Sequence, residues 1–141
     1  MFLIDTNVLS EFRKAGTDRM DLAVKAWFDE VPEEQTFISV ISIMELERWV
    51  LLKARHDPAQ AGIIRRWLQS RILPRYARRL LSVDRAVAQK TAALHVPDPR
   101  PHPDALIAGT ALVHGLTVVT RNTRDFAPLG VPVIDPWSGA G

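Results

Sequence analysis

The feature that most constrains this chain is an alternation. Short apolar, β-rich runs are separated by longer stretches whose apolar residues recur at helical spacing. Phe2-Leu3-Ile4, Thr36-Phe37-Ile38-Ser39-Val40, Leu80-Leu81-Ser82-Val83 and Leu116-Thr117-Val118-Val119-Thr120 read as four strands, and Val131-Pro132-Val133-Ile134 as a fifth. Pro132 withholds a backbone N–H, which assigns the fifth run to an edge. Between these runs, Asp18 to Val31 places Met20, Ala23, Val24, Trp27 and Phe28 along one face before Pro32. Ser42 to His56 reads as a second long helix, and Pro58 opens a third with Ile63, Ile64, Trp67, Leu68 and Ile72 as its apolar face. Asp84 caps a helix running to about Leu94, and Asp104 to His114 is a helix closed by Gly115. Four Pro within Val96 to Pro103 make a stiff loop. Strands alternating with helices predict an α/β fold: a central, mostly parallel sheet of four to five strands flanked by helices in three layers.

A length of 141 residues fits one domain over 1–141. The absence of Cys excludes a thiolate nucleophile, a disulfide framework and Cys-ligated zinc. No apolar run approaches the roughly 20 residues that span a bilayer. Asp5 interrupts the first apolar run too early for a signal peptide. The expectation is a soluble, cytoplasmic protein with no membrane partner.

Charge is segregated along the chain. Residues 1–47 carry 4 basic and 10 acidic side chains, and residues 48–85 carry 10 basic and 2 acidic. Of the 18 basic residues 14 are Arg, whose planar fork suits phosphate. Arg65, Arg66, Arg71, Arg75, Arg78 and Arg79 are therefore candidate nucleic-acid-backbone contacts, with a solvated helical face as the competing reading.

In an open parallel sheet, functional groups gather beyond the carboxyl ends of the strands. Asp5 ends the first strand, Glu45 follows the second, Asp104 opens the helix before the fourth, and Arg121-Asn122-Thr123-Arg124-Asp125 follows the fourth. Each has a structural alternative. Asp5 can cap the next helix, Ser42-Ile43-Met44-Glu45 matches a capping box, and Asp104 can complement a helix dipole. Glu47 projects about 200° around the helix from Glu45, so the two cannot face one site. Asp104, Ala108 and Ala111 share one helix face, which suits close packing on the sheet. Two carboxylates about 5 Å apart repel by roughly 3 kcal/mol at an effective dielectric near 20. Gathered in one pocket, these groups need a shared proton or a divalent cation. An all-oxygen donor set favours Mg²⁺ or Mn²⁺ over zinc. Acidic pocket, hard cation and Arg-rich flank point to phosphodiester hydrolysis.

Four segments in order carry a family resemblance. Leu3-Ile4-Asp5-Thr6-Asn7-Val8-Leu9-Ser10-Glu11, Ser39 to Leu46, Pro103 to Leu112, and Val119-Thr120-Arg121-Asn122-Thr123-Arg124-Asp125-Phe126 resemble the acidic motifs of PIN-domain ribonucleases. Order and spacing look most like VapC toxins of type II toxin–antitoxin pairs, the FitB-like branch especially. The resemblance implies an Mg²⁺-dependent endoribonuclease, with Mn²⁺ as substitute. Asp5 and Asp104 would be the principal metal ligands and Glu45 the third. Some relatives carry Asp immediately after Thr-Arg, where this chain has Asn122. Either Asp125 supplies the fourth acidic group, as favoured here, or Asn122 makes a neutral contact. Thr6 and Asn7 would order the loop around Asp5, and Arg121 would contact phosphate. The resemblance also implies a homodimer and a cognate antitoxin covering the acidic cleft.

Two other readings compete. A phosphotransfer protein using Asp5 as acceptor wants a carboxylate at position 7, which is Asn, or a Lys after a late strand, and no Lys follows Lys90. A non-catalytic RNA-binding or protein-interaction module on the same fold would gain nothing from a cluster of carboxylates.

Overall fold

All five expected strands form, and every pairing between them is parallel. The computed structural model describes residues 1–138, so the last three positions of the expected 1–141 domain lie outside the described residues. The chain runs β1 (Phe2–Ile4), α1 (Thr6–Phe12), α2 (Leu22–Glu30), β2 (Thr36–Ser39), α3 (Val40–Ala54), α4 (Pro58–Trp67), α5 (Leu73–Tyr76), β3 (Leu80–Leu81), α6 (Arg85–Leu94), α7 (His102–His114), β4 (Thr117–Val119), α8 (Thr123–Phe126) and β5 (Val133–Ile134). A π-helical turn, Leu68–Ile72, joins α4 to α5.

The strand order is β3-β2-β1-β4-β5. The chain therefore builds outward from β1 on one side, then returns to the other side of β1 to lay down β4 and β5. That reversal between β1 and β4 opens a crevice at their carboxyl ends. Ile4 stands opposite Val119 in the register. The next residues along each strand, Asp5 and Thr120, consequently meet at the mouth of the crevice.

Alternation along the strands sorts the core into two halves. Leu3 and Val118 pack with Ile107, Ala108, Ala111 and Phe126 on one side. Ile4, Ile38 and Val119 pack with Val8, Leu9, Leu46 and Leu68 on the other. The α/β three-layer arrangement follows directly. On the first side α7 lies close to α6: a Cβ at Gly109 would overlap the Thr91 hydroxyl.

Side-chain caps set where the helices begin. Asp21 Oδ1 accepts hydrogen bonds from the N–H groups of Ala23 and Val24, so α2 starts at Leu22 and not at the expected Asp18. Ser39 Oγ accepts from Ile41 N–H, so α3 starts at Val40. Ser42 is thereby buried inside the helix, and the Ser42–Glu45 capping box, the structural alternative for Glu45, does not form. Asp57 caps α4 with Pro58 at its first position, and Asp84 caps α6 through Val87 N–H. Gly115 closes α7 with φ of 66°, a left-handed conformation that suits Gly. Ile63 departs from the expected apolar face of α4 and is 50% exposed, whereas Ile64 and Leu68 are fully buried. Among the described residues, no helix is long and apolar enough to cross a membrane.

Candidate active site

Asp5 is the most enclosed of the site's carboxylates, at 4% exposure. Its backbone N–H still donates to Val119 carbonyl at 2.9 Å, as though the β1–β4 ladder continued one residue further. Its side chain turns into the crevice. Oδ1 accepts from Thr6 N–H at 2.8 Å and thereby caps α1. Oδ2 accepts from the Thr120 hydroxyl at 2.8 Å and from Asn7 Nδ2 at 3.3 Å. The capping role and the crevice position are thus both real, and one side chain holds both.

Asn7 fastens the same corner from a second direction. Its Nδ2 also reaches Thr120 Oγ1 at 3.3 Å, and its Oδ1 accepts from Arg121 N–H at 3.2 Å. Thr120 Oγ1 in turn accepts from Asn122 N–H at 3.0 Å. The ends of β1 and β4 are therefore joined by side chains beyond the last ladder hydrogen bond.

Glu45 lies half-buried on the second turn of α3. Thr6 Oγ1 donates to Glu45 Oε1 at 2.6 Å and stands 3.0 Å from Ser42 Oγ. Glu47 goes elsewhere, as its helical phase requires: its Oε2 lies 4.0 Å from Arg65 Nη1. Asp104 sits in the first turn of α7, the third residue of that helix, and Asp125 is exposed in the first turn of α8.

The electrostatics join these four groups. Burial pushes the Asp5 carboxyl from 3.8 up to about 6, against the lowering effect of its hydrogen bonds from Thr120 and Thr6. The negative charges of Glu45 and Asp104 push it the same way. Asp104 is also raised, by burial first, then by repulsion from Asp125 and Glu45. Among the described residues, none of the four carboxylates makes an ion pair with Lys, Arg or His. A crevice with this much uncompensated negative charge favours a hard cation, and its donors are all oxygen. The fit is of charge and donor type alone: among the described residues no three acidic or imidazole groups stand close enough together to hold a metal ion.

Not every expected site residue belongs to this crevice. Arg75 and Arg79 both pair with Glu33, and Arg79 further donates to the Thr36 carbonyl, the Thr36 hydroxyl and the Arg75 carbonyl. Arg75 holds the Glu33 carboxyl below its ordinary range. Thr36 begins β2, so this knot lies at the amino end of the sheet, opposite the carboxylates. Arg75 and Arg79 thus act as structural clamps between Glu33 and the start of β2. Arg66, Arg71 and Arg78 are exposed, and Arg65 leans toward Glu47. Arg121 is exposed at the crevice with its guanidinium 4.8 Å from the Trp137 ring centre.

Sequence reasoning missed Thr120 and Ser42. Thr120 has a signal in hindsight: it ends the strand beside β1, one residue past the register partner of Ile4.

The sequence profile of the PIN domain matches residues 2–130. The VapC ribonuclease Y4jK of Sinorhizobium fredii is 34% identical over 145 residues, covering 99% of this chain and 100% of that protein. Toxin FitB of Neisseria gonorrhoeae is 35% identical, covering 97% of this chain and 99% of that one. The crystal structure of FitAcB from Neisseria gonorrhoeae superposes with a TM-score of 0.84 at 33% identity, over 97% of this chain and 99% of that chain. A toxin–antitoxin complex from Klebsiella pneumoniae gives a TM-score of 0.68 at 28% identity, over 96% of this chain and 98% of that chain. Profile, identity and superposition agree over nearly the whole length, and the chain belongs to the PIN-domain family.

Proposed function

We propose that this protein is a metal-dependent endoribonuclease and the toxin of a type II toxin–antitoxin pair. The observation that carries the reading is the set of four carboxylates at the β1–β4 crevice, unpaired among the described residues by any basic side chain, with the Asp5 and Asp104 carboxyls raised by burial and by the charges of the others. The names of its relatives, a VapC ribonuclease and a toxin, support the same reading. Asp5, Glu45 and Asp104 would hold Mg²⁺, or Mn²⁺ in its place, and Asp125 adds a fourth negative charge from the rim. When bound, such an ion supplies positive charge for a phosphate under attack and lowers the pKa of water.

The protein's own residues do the rest. Thr120, Thr6 and Asn7 hold the Asp5 carboxylate in one orientation, so its oxygens need no reorganisation when a cation arrives. Thr6 does the same for Glu45. Arg121 stands at the opening, placed to meet a phosphate of the incoming strand. Asn122 contributes its backbone N–H to Thr120 and leaves its side chain at the rim. The partners in this reading are RNA, a second copy of the chain, and an antitoxin whose chain covers the acidic cleft. The solved toxin–antitoxin complex among its structural relatives supports the last of these. The compartment is the cytoplasm. A non-catalytic binding module is disfavoured, because a polyanion gains nothing from four carboxylates at its binding surface.

The test is cleavage of a structured RNA by nuclease-free protein. Activity is expected to vanish in EDTA and to return with Mg²⁺ or Mn²⁺ but not with Ca²⁺. One solvent oxygen should enter the product phosphate. Undiminished cleavage in excess EDTA, or a cyclic 2′,3′-phosphate product, would refute the reading.

A further inference from the structure

Four carboxylates at one crevice pose a difficulty for a polyanionic substrate. The crevice repels an RNA strand until a cation arrives, so positive charge beside it is needed to hold the strand. A neighbouring cavity carries such charge. Ser10 and Trp49 line both the cavity of about 310 Å³ that contains Thr6 and Glu45 and a second one of about 290 Å³. Asn7, which donates to Asp5 Oδ2, lines the second as well. An extended strand lying over Ser10 would therefore touch both spaces.

Three cations, Arg13, Lys14 and Arg121, line the second cavity together with one carboxylate, Glu11. Glu11 is engaged with Lys14, whose Nζ donates to its Oε1 at 3.0 Å. Arg13 and Arg121 belong to no ion pair among the described residues. The lining thus carries a formal charge of +2 beside a crevice of carboxylates. Each of the two free arginines is held over a tryptophan of the same lining. The Arg13 guanidinium lies 5.3 Å from the Trp49 ring centre, and that of Arg121 lies 4.8 Å from the Trp137 ring centre. A guanidinium over a ring keeps its N–H donors in its own plane and its charge unneutralised, while the ring restricts its motion. Both rings are covered, so neither is a stacking surface for a base. What the cavity presents is two restrained, unpaired cations.

We infer that this cavity is a phosphate subsite, which holds a phosphodiester of the RNA strand next to the one presented to the carboxylates. A guanidinium suits that ligand, because its planar fork donates two parallel N–H bonds to a pair of phosphate oxygens. Every nucleotide carries the same charge, so the subsite fixes the path of the strand without reading its sequence. The regular spacing of that charge favours nucleic acid over an acidic protein segment: a strand with one phosphate at the crevice necessarily carries the next one beside it. The inference rests on the ribonuclease reading for its ligand. It adds Arg13 as a second residue that meets the strand with Arg121, and it assigns the cavity where they do so.

The experiment uses the full chain in EDTA, where no cleavage is expected, and reads the fluorescence anisotropy of a labelled uridine hexamer. Arg13→Gln should weaken binding roughly tenfold and lower the slope of log affinity against log salt by about 0.7, the value for one phosphate contact on a single strand. Arg13→Lys keeps the charge and should keep that slope. Because Arg13 packs on Trp49 and its replacement can disturb the fold, Arg121→Gln, at an exposed position, gives a second arm with the same expected loss. The same hexamer with uncharged methylphosphonate linkages should bind wild type and both Gln variants equally. Titration with uridylyl-uridine 5′-phosphate should shift the indole N–H NMR signals of Trp49 and Trp137 and leave those of Trp27 and Trp67 in place. Wild-type affinity for the charged hexamer in either folded Gln variant would overturn the inference. So would equal losses with the neutral hexamer, or a glutamate hexapeptide that moves the Trp49 and Trp137 signals at lower concentration than the dinucleotide. Cleavage with Mg²⁺ is scored separately. Cleavage by variants of unchanged affinity refutes the subsite alone, and the expected binding without any cleavage refutes the ribonuclease reading alone.

Discussion

The Thr120 hydroxyl donates to Asp5 Oδ2 at 2.8 Å, across the point where the strand order reverses. This bond opposes the effect of burial, which would otherwise push the Asp5 carboxyl higher still. Thr120→Val keeps the shape and removes the hydroxyl. It should raise the Asp5 pKa above its present value of about 6. It should also lower stability by about 1–3 kcal/mol, because Asn122 N–H and Asn7 Nδ2 lose their common acceptor. Carboxyl-carbon NMR titration reads the first effect and urea denaturation the second. An unmoved Asp5 titration would break the argument.

Asp5 itself should be a burden on the fold at neutral pH when no cation is bound. Its folded pKa is raised from 3.8 to about 6, so the native state binds the proton more tightly than the unfolded state. Stability is then highest below pH 4 as far as this group is concerned. It falls as pH rises between about 4 and 6, with a full loss on the order of 3 kcal/mol above that window. Asp5→Asn should therefore raise the melting temperature in EDTA at pH 7 and lose that advantage near pH 4. A variant less stable than wild type at both pH values would contradict the sign.

Glu45 and Glu47 separate function from surface on one helix. Glu45→Gln should reduce RNA cleavage by roughly 100-fold or more, and Glu47→Gln should leave it within about twofold. Single-turnover rates with Mg²⁺ make the comparison. A Glu45→Gln rate within about twofold of wild type would place Glu45 outside the site.

The arginines divide in the same way. Arg79→Ala breaks the knot with Glu33 and Thr36 and should destabilise the protein by roughly 1–3 kcal/mol. Arg78→Ala, at an exposed position, should change stability by no more than about 0.5 kcal/mol. If Arg66, Arg71 and Arg78 hold RNA by its backbone, their joint removal should flatten the fall in affinity with salt. An unchanged salt slope returns them to a solvated face.

These contrasts show what was legible in the sequence. Asp5 was readable because an apolar strand ending in a carboxylate is a local pattern, and Glu45 and Asp104 because each stands within the first two turns of a helix, ends that a parallel topology carries to the same side of the sheet. The start of α3 was misread for an equally local reason. Ser39 and Ser42 are both plausible caps, and only the end of β2 at Ser39 decides between them. Arg75 and Arg79 looked like free positive charge because their partner, Glu33, lies more than 40 residues earlier. Thr120 was passed over because a hydroxyl at a strand end carries no signal until its neighbour across the sheet is known.

The bond between Asp5 and Thr120 joins residues 115 positions apart. β1 is made first, but its pairing with β4 waits for nearly the whole chain, and contacts of such long range form late in folding. A growing chain that has not yet released β4 has Asp5 without Thr120, Asn7 without its anchor and no crevice at all. Truncation before β4 should yield a protein without the site, however well the first three strands associate. The same topology that places the carboxylates together thus delays their meeting: a chain under synthesis carries no complete crevice until it is almost finished.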